Sequence, residues 1–138
     1  ELTAVLQYIF HSFNFGARGM TEYADMMDSI AIAEMRHIEL LGDALIRLGV
    51  SPIFARRPPT KCDFYSTCHV DYSTLPAAML SADITAETRA IRTYEQMLDQ
   101  FTDSTLNALV NRILLDERLH LERLKAAYRT LVDSKPQP

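Results

Sequence analysis

Ile32-Ala-Glu-Met-Arg-His-Ile-Glu-Leu-Leu41 and Leu115-Asp-Glu-Arg-Leu-His-Leu-Glu122 share one pattern, Glu-x-x-His-x-Glu, carried by Glu34 and His37 in the first and by Glu117 and His120 in the second. On a helix, residues three apart lie about 60° apart around the axis, so the Glu and His of each motif converge on one point. Each motif follows a lone Glu set in a second shared pattern, Glu-x-x-Ala-[Val or Ile]-x-x-Tyr. That pattern runs from Glu1 to Tyr8 and again from Glu87 to Tyr94, 33 residues before Glu34 and 30 before Glu117. The chain thus reads as two helical hairpins related by a pseudo-twofold axis. A random order of these residues would give roughly 0.2 occurrences of Glu-x-x-His, so one copy can be an accident, whereas two, each preceded by a matching lone Glu, make a specific signal.

Around these motifs the apolar spacing predicts four helices. Leu2, Val5, Leu6, Ile9, Phe10 and Phe13 form a stripe over residues 1–15, ended by Gly16 and Gly19. Thr21 is the expected cap of a second helix over 21–48, with Gly49 and Pro52 beyond its end. From 50 to 74 the periodicity is lost, and prolines and aromatics cluster. A stretch of that length with no structure of its own is unusual in a compact domain, unless it carries the chain along the length of a bundle. A third helix is expected over 75–101 with Pro76 in its first turn, and a fourth over 105–132 after the Thr102-Asp103-Ser104 connection. The Lys135-Pro-Gln-Pro tail is expected to fray. The fold expected is therefore all-α, one four-helix bundle domain of 138 residues with a long crossover between its second and third helices.

In such a bundle Glu1, Glu34, His37, Glu87, Glu117 and His120 face one another as candidate metal ligands. Burying four carboxylates together is prohibitive without cations, and two divalent ions neutralise them. Surface glutamates on amphipathic helices would spell the same letters. Against that stand Ala33, Ile38, Ala90 and Leu119, apolar residues that flank the proposed ligands. Tyr8 and Tyr94, seven residues after a ligand Glu, point the same way. Each can bond a carboxylate or relay an electron, or simply be a core tyrosine with a satisfied hydroxyl. Asp83, four residues before Glu87, and Asp116, next to Glu117, are candidates to orient a histidine from behind, beside ordinary surface or capping roles. Glu39 and Glu122 fall about 140° away from the ligand face. His11 and His69 lack partner glutamates and read as structural or surface residues.

The order Glu…Glu-x-x-His…Glu…Glu-x-x-His on four helices resembles the ferritin-like di-metal carboxylate superfamily, which includes bacterioferritins, rubrerythrins and manganese catalases. The stretches from Glu1 to Tyr8, Ile32 to Leu41 and Leu115 to Glu122 look closest to small bacterial rubrerythrin-like proteins. The resemblance implies that Glu34 and Glu117 bridge two iron or manganese ions. It makes Glu1 and Glu87 terminal ligands and gives His37 to one metal and His120 to the other. Two features depart from rubrerythrin: Ala90 stands where its extra carboxylate would be, and no Cys-x-x-Cys pair supplies a rubredoxin domain. Met35 matches the haem-binding methionine of bacterioferritin, although a methionine on a helix flank commonly just packs.

The function expected is a di-metal oxidoreductase acting on O2 or H2O2, peroxidase, catalase-like or ferroxidase, with an electron donor that the sequence leaves unnamed and a homo-oligomeric assembly. A ferroxidase or iron-storage subunit is the alternative, and a non-catalytic metal-stabilised interaction or coat module the third reading. A net charge of -4 with no basic run argues against nucleic acid or an anionic membrane as partner. No apolar run is long enough to span a bilayer and no signal-peptide pattern opens the chain, so it reads as cytoplasmic. Cys62 and Cys68 are read as reduced loop thiols, with a local disulfide or an extra metal contact as the other options. Since the third helix has a lead-in before Glu87 and the first has none before Glu1, a native N-terminal segment, or completion of the first helix by a neighbouring chain, is also expected.

Overall fold

Backbone turns and caps divide the chain into its helices. The computed structural model describes residues 1–54 and 65–134; Cys62, Pro58, Pro59 and the tail from Lys135 lie outside the described residues. The α-helices are α1 (Leu2–Gly16), α2 (Thr21–Arg47), α3 (Pro76–Leu98) and α4 (Ser104–Asp133). Between α1 and α2 the backbone itself makes the turn, with Gly19 at φ +71° and the Met20 N–H donating to Phe15 O at 3.1 Å. Thr21 consequently opens α2 rather than capping it; the cap position is Met20, without a side-chain bond. At the far end of α2, Gly49 takes φ +73° and the Val50 N–H reaches Leu45 O at 2.8 Å. This is the left-handed glycine stop that only a residue without Cβ adopts cheaply. Pro76 is the first residue of α3, where its missing N–H costs nothing. Asp103 caps α4 by accepting from the Thr105 and Leu106 N–H groups at 2.8 and 2.9 Å.

α1 packs chiefly along α2 and α3 along α4, and the two hairpins close into the bundle through α2 against α4 and α1 against α3. The described part of the connection before α3, residues 65–75, contains a 3₁₀ turn at Thr67–His69 and lies against α1. Tyr65 donates its hydroxyl to Thr3 at 3.2 Å, the Asp71 N–H donates to the Gln7 carbonyl oxygen at 2.8 Å, and Val70 is buried.

The core has two apolar ends and a polar middle. One end gathers Tyr8, Phe15, Met27, Ile30, Met79, Leu80 and Leu124. At the other, Tyr94, Val110, Ile113 and Leu114 meet Leu41, Ile91 and Phe101. Between them lie the buried Glu34, His37, Glu87, Glu117 and His120. This layer corrects the sequence-based stripe of α1. The helix turns Gln7, Tyr8, His11 and Ser12 inward with Val5 and Phe15, while Phe13 is 71% exposed. A face that lines a polar layer need not be the most apolar face of its helix. Leu119 is likewise exposed rather than flanking the ligands inside.

Candidate metal centre

Each helix brings one part of the constellation. Glu1 sits at the N-cap of α1, α2 carries Glu34 and His37, α3 carries Glu87, and α4 carries Glu117 and His120. Ligating atoms form two groups, within each of which all lie within 4.8 Å of one another. The first is Glu1, Glu34, His37 and Glu117; the second is Glu87, Glu34, Glu117 and His120. Each group has one lone Glu and one His, and Glu34 and Glu117 belong to both. The sequence repeat has become a repeat in space.

Within this ring the two imidazoles use the same nitrogen. His37 Nδ1 lies 3.0 Å from Glu34 Oε2 and 3.0 Å from Glu117 Oε1, and His120 Nδ1 lies 3.0 Å from Glu34 Oε1 and 3.8 Å from Glu87 Oε1. Glu34 Oε1, Glu87 Oε2, Glu117 Oε1 and His120 Nδ1 are nevertheless buried without an aligned hydrogen bond among the described residues. Close approach without alignment means that these lone pairs aim at shared points rather than at each other. Leaving such polar atoms unpaired costs about 1–3 kcal/mol each and more for charged groups, a cost that cations bound between them would remove. Carboxylate and imidazole donors fit borderline-hard divalent metals. The residues present therefore fit a pair of metal ions.

Electrostatics in the metal-free ring tell the same story. Burial pushes Glu87 up to about 11, with Glu117 adding to the shift, and Glu1 up to about 8, with Glu34 adding. Burial also opposes the charge on Glu34, yet the facing His120 and His37 imidazoles outweigh it and hold that carboxyl well below its usual range. It opposes the charge on His37 too, but Glu117 and Glu34 raise His37 to about 10. Without cations the ring thus retains protons on some members to balance the charge on others.

The neighbours of the ring divide clearly. Tyr8, buried, donates its hydroxyl to Glu87; burial first, and then the neighbouring Glu87 and Asp83 carboxyl groups, push that phenol well above its ordinary range. Tyr94 is buried in the apolar end and faces a cavity of about 470 Å³. That cavity is also lined by Glu1, Glu34, Glu87, Glu117, His69 and Arg89, and it reaches the ring from the side of α1 and α3. Asp116 stands 3.5 Å from His37 Nε2 and 3.3 Å from Arg112. Asp83 does not approach a histidine of the ring. It holds His11, for which the sequence alone predicts a structural or surface role and which is fully buried. Met35 is 43% exposed on the flank of α2. Glu122 pairs with Lys125 at 3.1 Å, and Cys68 is a free, exposed thiol. Among the described residues no helix is long and apolar enough to cross a membrane.

The model of the ferritin-like domain matches residues 1–132. Among solved structures, the chain is similar to Mycobacterium tuberculosis bacterioferritin BfrA. The TM-score is 0.78 at 24% identity over 96% of this chain and 79% of that one. No curated protein sequence matches.

Proposed function

The chain belongs to the ferritin-like domain family, and on that premise we propose that it is a ferroxidase-type subunit, binding two iron ions between Glu1, Glu34, His37, Glu87, Glu117 and His120 and oxidising Fe(II) for storage in a homo-oligomeric assembly. The observation that carries this reading is the sharing of Glu34 and Glu117 by both ligand groups. Family membership favours iron oxidation and storage over the broader oxidoreductase reading taken from the sequence. Iron is preferred to manganese on the same ground.

A bound iron pair supplies electrons to O2 or H2O2. What the chain supplies is position and charge. Glu34 and Glu117, which belong to both groups of ligating atoms, would hold both ions, while Glu1 with His37 would hold one and Glu87 with His120 the other. Asp116 behind His37 Nε2 favours the tautomer that leaves Nδ1 free to ligate. The Tyr8 hydroxyl holds Glu87 in place and lies where it can pass an electron or a proton. The cavity beside Glu1, His69 and Arg89 gives Fe(II) and the oxidant a way in.

The test is anaerobic loading with Fe(II) followed by rapid mixing with O2 or with H2O2, read by absorbance of ferric iron, and then by iron retained per assembly. Ferroxidase function requires oxidation much faster than in buffer and iron retained beyond two per chain. Rapid reaction with H2O2 and no retention beyond two would favour the peroxidase reading instead. Oxidation no faster than buffer would sink both.

A further inference from the structure

Outside the ring, one buried imidazole is left with an unused nitrogen. His11 on α1 has no solvent exposure, and its Nδ1 lies 2.9 Å from both carboxylate oxygens of Asp83, itself fully buried on α3. Gln7 donates to the same carboxylate at 2.8 Å. A carboxylate at Nδ1 accepts a hydrogen bond from an N–H there and so favours the tautomer with a lone pair on Nε2, the arrangement that commonly stands behind a metal-ligating histidine. His11 Nε2 has no hydrogen-bond partner among the described residues. Facing it is Asp71 of the crossover, with Oδ1 3.9 Å away.

That gap is too long for a hydrogen bond. Two donors about 2.1 Å from one cation at tetrahedral to trigonal angles stand about 3.4–3.6 Å apart, so a shift of about 0.3–0.5 Å closes the pair on a metal. Asp71 is held in this attitude from two sides: its N–H donates to Gln7, and its Oδ1 accepts from the Ser73 N–H at 2.9 Å. Its side chain is 42% exposed, which leaves room for waters to complete the coordination. We propose that His11 Nε2 and Asp71 bind a divalent first-row cation in the seam between α1, α3 and the crossover, with Asp83 orienting the imidazole from behind. Donors of this kind suit Zn(II), Fe(II) or Mn(II). His11 lies three residues beyond Tyr8, and Asp83 four before Glu87, so this cation would sit about 6 Å, one helical turn, along the seam from the Tyr8–Glu87 contact.

Zn(II), which is redox-silent, is the probe. The metal-stripped full chain and its Asp71→Asn variant are titrated by equilibrium dialysis, and both are crystallised with Zn(II) for anomalous diffraction at the zinc edge. Asparagine keeps the oxygen that accepts from Ser73, so the crossover stays in place while the anionic donor is lost. The expected result is one Zn(II) more per chain in the parent than in the variant, with an anomalous peak between His11 Nε2 and Asp71 in the parent alone. Superimposable isotherms, or maps without that peak, overturn the proposal and leave His11 as a buried structural residue held by Asp83. The difference between parent and variant does not depend on how many ions the inner ring takes.

Discussion

Loading the metal-free centre must expel protons, and the number follows from the ring itself. Near pH 7, Glu87 with its pKa about 11 and His37 at about 10 are fully protonated, and Glu1 at about 8 is mostly so. Glu34 is already ionised. Ligands bind deprotonated, so Glu87, His37 and Glu1 should together give up about three protons per chain as the ring fills at pH 7, and the apparent binding constant should rise steeply with pH there. At pH 9 Glu1 has lost its proton beforehand, and the release should fall to about two. Glu87→Gln removes one titrating group while leaving an oxygen to accept from Tyr8. At saturating metal it should lower the release at pH 7 by about one. Anaerobic calorimetry with Fe(II) in two buffers of different ionisation enthalpy reads the count directly. Release near zero, or an identical count for the parent and Glu87→Gln, would refute this account of the ring.

Four further outcomes are expected. Glu34→Ala and Glu117→Ala should each abolish paired binding, because one carboxylate serves both ions, whereas His37→Ala should leave one ion bound; equal small effects on stoichiometry would count against the shared roles. Each ion present at a hundredfold excess over its Kd adds about 2.7 kcal/mol, or about 9 °C in Tm for a chain of this length. Calorimetric scans with and without chelator check this, and an unchanged Tm after verified metal loss would contradict it. In the metal-free chain, Glu1 and Glu87 have folded pKa values above their ordinary 4.5. Their contribution is therefore fullest below about pH 4.5 and is lost as pH rises; His37, raised from 6.5 to about 10, loses its own contribution above about pH 6.5. The stripped protein should accordingly melt lower at pH 8 than at pH 5, and a rise over that interval would be inconsistent with the ring. Tyr8→Phe should keep the metal count but slow iron oxidation by tenfold or more, an order-of-magnitude expectation for losing a positioned proton or electron donor; an unchanged rate would make Tyr8 a packing residue.

Much of this arrangement was legible because helix periodicity is rigid. Glu34 and His37, or Glu117 and His120, must share a face once their segments are helical, and the matching Glu-x-x-Ala patterns tie the two hairpins together. The four helices could be read for the same reason, with ends marked by Gly49, Pro76 and Asp103. What the sequence hid depends on contacts between distant segments. The buried face of α1 could not be found from its apolar stripe, since Gln7, Tyr8 and His11 point inward to meet Asp83, Glu87 and the crossover. Asp83 is a sequence candidate to orient a histidine, but its partner on another helix has no fixed spacing from it. His11 and Asp71 are 60 residues apart along the chain, and only the docking of the crossover on α1 brings them together. Leu119 misled in the opposite direction: an apolar residue beside a ligand can still face outward.

Diffraction at the iron edge from crystals of the chain loaded anaerobically with Fe(II) tests the central claim most directly. The account predicts two anomalous peaks inside the bundle, about 3.5–4 Å apart, with Glu34 and Glu117 contacting both, Glu1 and His37 on one, and Glu87 and His120 on the other. A single peak, or none within the ring at full iron loading, would contradict it.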